Sequence, residues 1–409
     1  MNAPWTPMRW PENWTDPTSL DLLKGTAINY LLISNSAALG AVRSRAQQSG
    51  LSVADPEAPP AGIAVVKGEW PGVKMARGGG AAQASSGPTG APWVDSNGWL
   101  VRLESTLHPD TAIWVDAPPP ANGRVAAGSY LVAIADSASH GGRWILSLDA
   151  QLAAGMAEKR PEAVDTWKKI AAAAGFFAER KAWPGYTPVA VVGVISDFAG
   201  ANEFFSRELL NLLDRAGQHY RILPKDKVAD SSFASLRAVI YADADAPSPA
   251  LRKQTMAFVQ GGGMLIAGPK WGEVAGSAAR ADEHPRFSSR TLGKGSVALA
   301  HEDPGDPYLW ANDSVVLVSH RYDLVRFWNG GATGSFYTMS PDGKQAVVHL
   351  LFYANRGPDA ASVRIAGRFR TVKASTVEAA LPKVEMESQK DAVEVHLPQV
   401  PQYVSLELI

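Results

Sequence analysis

Residues 189–217 read VAVVGVISDFAGANEFFSRELLNLLDRAG. Val189 to Ile195 is an unbroken apolar run of strand length, as expected of a parallel strand covered on both faces. Phe205, Leu209, Leu212 and Leu213 follow at i, i+4, i+7 and i+8, so one stripe of a helix is apolar, and Gly217 supplies its stop. Further strands are expected at Arg221–Leu223, Ala238–Tyr241 and Met264–Ala267, with a helix from Ser248 to Gln260 ended by Gly261. Strand and helix alternate throughout, which predicts a doubly wound α/β domain of flavodoxin-like type running to about residue 300.

Upstream, Trp183-Pro184-Gly185-Tyr186-Thr187-Pro188 reads as a linker. Residues 1 to about 185 hold 10 of the 13 tryptophans. Short apolar runs at Ile28–Ile33, Ile63–Val66, Ala112–Val115 and Trp144–Leu148 alternate with helical patterns, one with Leu39, Val42 and Ala46 on a face, another with Leu100, Leu103 and Leu107. Ser96 is the expected cap of the second. Residues 151–182 look helical with a break or new start at Pro161. A full eight-fold barrel takes ~250 residues, so this region predicts a shortened TIM-barrel-like domain of five or six strands. From about residue 333, β-type alternation at Ala346–Phe352, Val363–Ile365, Val393–Leu397 and Tyr403–Leu408 predicts an antiparallel β-sandwich. The expected domains are thus 1–185, 186–332 and 333–409, with one low-complexity loop from Gly78 to Ser86.

With 39 Lys+Arg against 40 Asp+Glu, the net charge is -1, so a nucleic-acid partner is not expected. No run reaches the roughly 18 apolar residues of a membrane span. The first residues, MNAPWTPMRWPENW, lack the build of a signal peptide; the expectation is a soluble chain, cytoplasmic, or periplasmic if a signal has been removed. Zero cysteines exclude disulfides, thiolate metal sites and cysteine nucleophiles. The eight histidines show no HExxH or H-x3-5-H spacing, so no metal is expected, and no cofactor motif is present.

The segments VAVVGVISDFAG, GGGMLIAGP and LGKGSV resemble the class I glutamine amidotransferase-like middle domain of glycoside hydrolase family 42 β-galactosidases. AVVHLLFYAN with PQYVSLELI resembles the sandwich that follows it there. GPTGAPWVDSNGW and IWVDAPPP look like segments of bacterial proteins described as glycosyl hydrolases. The resemblance implies a barrel, an oligomerising doubly wound domain and a sandwich, a carbohydrate ligand and a homo-oligomer. Two departures stand out. The position after Ala238–Tyr241 where an amidotransferase carries its cysteine reads Ala242-Asp243-Ala244-Asp245, so that reaction is excluded. The family's Asn-Glu acid/base pair is absent from the strand ends identified.

Glycoside hydrolysis needs two carboxyl groups, and parallel βα domains place functional groups at the carboxyl ends of their strands. Four acids answer to that description: Asp116, Glu69, Asp95 and Asp149. Each has an ordinary alternative. Asp149 precedes an Ala-rich helix, so capping is its simplest role; Asp116 is followed by Pro118-Pro119-Pro120, which starts a helix poorly; Asp95 or Ser96 can cap the next helix; Glu69 is a poor cap type. Trp70, Trp93 and Trp99 are candidates for stacking on a sugar face, whereas Trp114, inside a strand, fits a core. Arg102 and Arg143 are candidates to pair with the acids or to bind substrate, the ordinary alternative being plain surface charges. In the middle domain Asp197, Asp243 and Lys270 all follow strands and could hold a phosphate or Mg2+ site, but the loops lack a GxxxxGK(S/T) cradle, and GKGS at Gly293 to Ser296 lacks the glycine spacing of a phosphate loop.

The leading expectation is therefore a glycosidase-like hydrolase working with two rim carboxylates. Its rival is a non-catalytic carbohydrate-binding or oligomerising protein with a degenerate barrel, and the sequence leaves open whether the chain is an enzyme.

Overall fold

The computed structural model describes residues 5–58, 60–74, 93–121, 123–278, 284–328, 331–354, 360–378 and 381–409. The Gly78–Ser86 loop and the first part of GPTGAPWVDSNGW lie outside them.

The N-terminal unit contains strands β1 (Pro7–Arg9), β2 (Tyr30–Leu32), β3 (Ser52–Ala54), β4 (Ile63–Lys67), β5 (Gly72–Val73), β6 (Val94–Asp95), β7 (Ala112–Asp116), β8 (Arg143–Trp144) and β9 (Leu146–Ser147). Its helices are α1 (Gly40–Gln48), α2 (Gly98–Leu107), α3 (Ala127–Ser139), α4 (Ala150–Ala157) and α5 (Pro161–Glu179). β8 and β9 are separated only by Ile145, whose N–H donates to Val115, so they act as one strand. All pairings give the parallel order β3-β2-β1-β9/β8-β7-β4, with β5 and β6 forming a separate antiparallel pair. That is the circular order of a (β/α) barrel, interrupted where β3 and β4 do not pair. The barrel is shortened and open along this seam.

Strand alternation sorts its side chains into two layers. Tyr30, Leu32, Ile63, Trp114 and Ile145 pack together on the inner face, with Trp5 joining them. Met8, Leu31, Ile113, Val115, Trp144 and Leu146 point outward to the helices. Three aromatic rings plug the interior edge to face, Trp114 lying 4.9 Å from Tyr30 and 6.3 Å from Trp5. The inner face thus has a closed apolar floor. Polar side chains at the carboxyl ends of these strands on that face sit above it, at the mouth.

The middle unit comprises β11 (Val192–Ser196), α6 (Glu203–Arg215), β12 (Tyr220–Pro224), β13 (Ala238–Tyr241), α7 (Pro249–Gln260), β14 (Met264–Ala267), β15 (Ser277–Ala278), β16 (Phe287–Leu292), β17 (Gly295–Ala300) and α8 (Pro307–Val318). Its sheet runs β12-β11-β13-β14-β17-β16-β15, parallel through β17 and antiparallel beyond. The parallel part has flavodoxin-like order, with its switch point between β11 and β13. The local signals act as expected: Ser248 caps α7 and Pro249 opens it, and Gly217 takes φ +71 beyond α6. LGKGSV is a hairpin turn: Gly293 has φ +59, and a Cβ on Gly295 would lie 2.1 Å from the Gly263 carbonyl oxygen. Its glycines serve backbone approach, not a phosphate.

The sandwich packs β10-β19-β20-β25-β22 against β18-β21-β24-β23. Its strands are β10 (Thr187–Pro188), β18 (Val325–Phe327), β19 (Thr333–Met339), β20 (Ala346–Phe352), β21 (Ala361–Ala366), β22 (Val372–Ser375), β23 (Glu385–Ser388), β24 (Ala392–Leu397) and β25 (Tyr403–Leu408). Two of them, β10 and β18, come from chain outside 333–409. Every residue of β20 is buried: Val348, Leu350 and Phe352 face the sandwich core, while Val347 and Leu351 join the core under α3 and α5. The sandwich is therefore fused to the barrel rather than tethered to it.

Three buried histidines border the sandwich, His140 from the N-terminal unit, His219 from the middle unit and His349 from β20. His140 packs 4.5 Å from Phe336, His349 meets the Tyr403 hydroxyl at 2.7 Å, and His219 meets Ser335 at 3.3 Å. Burial holds them neutral, pushing His140 and His349 down to about 3 and His219 down to about 4. The unfolded chain takes up these protons near the ordinary histidine value, so their contribution to stability is present above pH ~6.5 and drains away as pH falls. Asp136, raised by burial to about 6, acts oppositely and stabilises more at low pH. Asp214, likewise raised by burial, acts with Asp136, and the three rings against these two carboxylates leave a net loss of stability on acidification from pH 6 to 4. Urea midpoints measured across that window should fall; a flat profile would contradict burial of these rings.

Candidate functional site

Above the aromatic floor, the carboxyl mouth of the barrel collects Arg9 from the end of β1, Lys67 from β4, Asp116 from β7 and Ser147 from β9. Register aligns Arg9 with Ser147, and Lys67 with Asp116. Arg9 reaches across β9 inside the barrel, its Nη2 donating to Asp116 Oδ2 at 2.7 Å. These two side chains are 30% and 24% exposed, open enough for a ligand to touch. Yet Arg9 Nε, Asp116 Oδ1 and Ser147 Oγ are each buried without a hydrogen-bond partner. Leaving one such atom unpaired costs roughly 1–3 kcal/mol, so three at one place make the mouth a candidate site.

Glu69 joins this mouth. Gly68 N–H donates to the Asp116 carbonyl at 2.9 Å, extending the β4–β7 ladder by one step. A Cβ on Gly68 would strike Val115 of the outer layer, and Trp70 packs against outer-layer Trp144 at 5.1 Å. Glu69 lies two residues past β4, between two residues that contact the outer layer. It is exposed, and the described residues give its carboxylate no partner. Its backbone, by contrast, is clamped by the Asn97 side chain, which accepts from Glu69 N–H and donates to Glu69 C=O, both at 2.9 Å.

Other expected residues lie elsewhere. Asp149 is buried and spent: it caps α4 through Gln151 and Leu152 N–H and accepts from the Tyr130 hydroxyl, so it is a cap and not a catalytic acid. Asp95 sits on β6 with Lys74 and Arg215 each at 3.7 Å, at the junction with the middle unit. Trp93 is there too, under the Arg215 guanidinium at 3.7 Å, and the two line a cavity of about 180 Å³ with Asp214, Tyr308 and Tyr353. Trp99 packs into the middle-unit core. Trp70 is in the outer layer, with Nε1 donating to the Pro118 carbonyl. Arg102 does not face the mouth: it stacks on Tyr220, donates to its carbonyl and pairs with Asp214 at 3.6 Å. Arg143 opens β8 at the amino end of the strands, opposite the mouth. Ser96 makes no cap; α2 starts without one because Asn97 has turned its amide to Glu69.

In the middle unit, Asp197 and Asp243 do come together at the switch point, joined by Lys225, whose Nζ is 2.7 Å from each. Ser196 and Asn202 complete this network. The two carboxylates and their hydrogen bonds push Lys225 up, against the pull of desolvation. The two carboxylates share one ammonium, and neutral donors from Ser196, Asn202 and the backbone N–H groups of Asp197 and Ala199 satisfy their remaining oxygens, so it is an ion-pair lock. Lys270 is not part of it and pairs with Asp303 at 3.5 Å. The described residues contain no group of three His, Asp or Glu arranged to hold a metal ion.

Arg9 went unforeseen because β1 is three residues long, too short to show a period, whereas Ser147 lies inside the expected run Trp144–Leu148, where attention went to the acid that follows it. Asn97 stands in WVDSNGW beside the acid that drew attention.

No family model matches the chain, and no curated protein matches it. Among solved structures it is similar to α-L-fucosidase isoenzyme 2 from Paenibacillus thiaminolyticus, at 9% identity over 98% of each chain and a TM-score of 0.49. It is also similar to a catalytic mutant of a GH42 β-galactosidase from G. stearothermophilus (10% identity, 78% of this chain, 62% of that one, TM-score 0.44). A β-galactosidase from Bacillus circulans sp. alkalophilus gives 8% identity, 74% and 61% coverage and a TM-score of 0.43. The chain thus spans a little under two thirds of the length of these two β-galactosidases.

Proposed function

We propose that this protein acts on carbohydrate at the barrel mouth, with Asp116 and Glu69 as the working carboxyl groups. The observation that carries the proposal is the convergence of unpartnered Arg9 Nε, Asp116 Oδ1 and Ser147 Oγ above a closed apolar floor. A donor, an acceptor and a hydroxyl together suit a ligand whose own hydroxyls both give and take hydrogen bonds. Strand spacing puts the Cα atoms of Glu69 and Asp116 roughly 8 Å apart. Side chains of that separation can flank one glycosidic bond at the ~5–9.5 Å used by retaining or inverting enzymes. Asp116, ion-paired to a guanidinium, fits the anionic role of nucleophile or base. Glu69, with a free carboxyl group on the neighbouring strand end, fits the acid.

A panel of 4-nitrophenyl glycosides tests this. The wild type should hydrolyse at least one, and Glu69→Gln should lower that kcat by about 10²-fold or more, as loss of a general acid does. Undiminished turnover by the variant would remove Glu69 from the chemistry. The unpaired seam between β3 and β4 favours a second reading, a sugar-binding module without turnover. Sugar binding by calorimetry with no glycoside cleaved would select it.

A further inference from the structure

A continuous set of buried hydrogen bonds runs from the sandwich to the mouth. Tyr353, just past β20, donates its hydroxyl to Asp136 Oδ1 at 2.7 Å. Asp136, in the last turn of α3, accepts at Oδ2 from Asn97 N–H at 2.8 Å and from Asn97 Nδ2 at 3.2 Å. Asn97 then grips the Glu69 backbone on both its N–H and its C=O. Asp136 is 0% exposed and Asn97 2% exposed, and the described residues offer Asp136 no cation. A buried carboxylate without a counter-charge is costly, and apolar packing would be cheaper at that spot. Its three donors come from the sandwich and from the start of α2, and this defines what it holds together.

We propose that Asn97, Asp136 and Tyr353 are positioning residues for Glu69, so that the C-terminal sandwich sets the geometry of the mouth through one hydroxyl. The proposal rests on Glu69 serving the site described above. Asn97 needs a fixed rotamer to present its carbonyl oxygen to Glu69 N–H and its amide to Glu69 C=O. Asp136 fixes that rotamer by taking the second amide hydrogen and the backbone N–H of the same residue. Tyr353 fixes Asp136 in turn, because its hydroxyl occupies the other carboxylate oxygen. Removing the hydroxyl frees Asp136 to rotate and loosens the clamp two residues away, with no group at the mouth altered.

The Glu69 amide reports this directly, since its acceptor among the described residues is the Asn97 side chain. Hydrogen exchange at that amide should quicken about tenfold in Tyr353→Phe, and more in Asn97→Ala, as expected for weakening and for loss of its hydrogen bond. Tyr403→Phe is the control: it removes another buried sandwich hydroxyl, the one bonded to His349, and should leave Glu69 exchange unchanged. Equal exchange in Tyr353→Phe and wild type would overturn the proposal, as would an equal rise in both tyrosine variants. The variants also separate positioning from mere loss of fold. On a 4-nitrophenyl glycoside that the wild type cleaves, Tyr353→Phe should move the limb of the kcat–pH profile that tracks the acid. A reduced amount of folded protein would lower the profile without moving the limb, and that result would count against positioning. If the amide loosens while Glu69→Gln retains full turnover, the coupling stands and the assignment of Glu69 as the acid falls.

Discussion

Asp116→Asn should lower kcat on a cleaved glycoside by about 10²–10⁴-fold, the scale of removing a nucleophile or base from a carboxylate pair. The substitution keeps the shape of the side chain and leaves its oxygen able to accept from Arg9, so the ion pair weakens without a clash. Stability should therefore change by no more than about 1 kcal/mol, the range for a partly exposed pair. KM should change little, since Arg9 and Ser147 still line the mouth. Steady-state kinetics beside a thermal melt would separate the two effects. Turnover equal to wild type would take Asp116 out of the mechanism.

The largest structural effect is expected from Trp114→Ala. Trp114 is fully buried and is the ring on which Tyr30 and Trp5 both close. Cutting it to a methyl group leaves a cavity in the barrel floor that short, paired strands cannot collapse into. The cost should be about 3–5 kcal/mol, read as a shift of the urea midpoint of the N-terminal unit. Because the mouth rests on that floor, sugar binding should weaken as well. A loss below about 1 kcal/mol would mean that the inner face is looser than its ring contacts imply.

The fold was legible where periodicity had room to show. β11 with α6, and β13 through β14, carry full strand runs and a two-turn apolar stripe, and the structure follows them in flavodoxin-like order. β20 was also plain, its apolar run being buried on both faces. The barrel was legible as a repeat of strands and helices but not as an open one. Its seam depends on β3 and β4 failing to pair, and no local pattern encodes an absent partner.

The site was half legible for the same reason. Asp116 and Glu69 announce themselves by following apolar strands. Arg9 ends a three-residue strand that no window can detect, and its partner is 107 residues away in sequence. Asp149 illustrates the opposite case: the local rule that acids after strands cap helices was sufficient, and the carboxylate is wholly engaged. Trp93, Asp95 and Arg102 were grouped with the mouth because they border barrel strands and helices. Their partners, Arg215, Asp214 and Tyr220, belong to the middle unit, and only packing between units places them at that junction.

The most direct test of the account is a crystal soaked with a simple glycoside or monosaccharide. Density is predicted on the inner face of the barrel, with sugar hydroxyls within hydrogen-bond distance of Asp116 Oδ1, Arg9 Nε and Ser147 Oγ. A sugar bound only at the junction beside Trp93 and Arg215, with the mouth empty at saturating concentration, would contradict it.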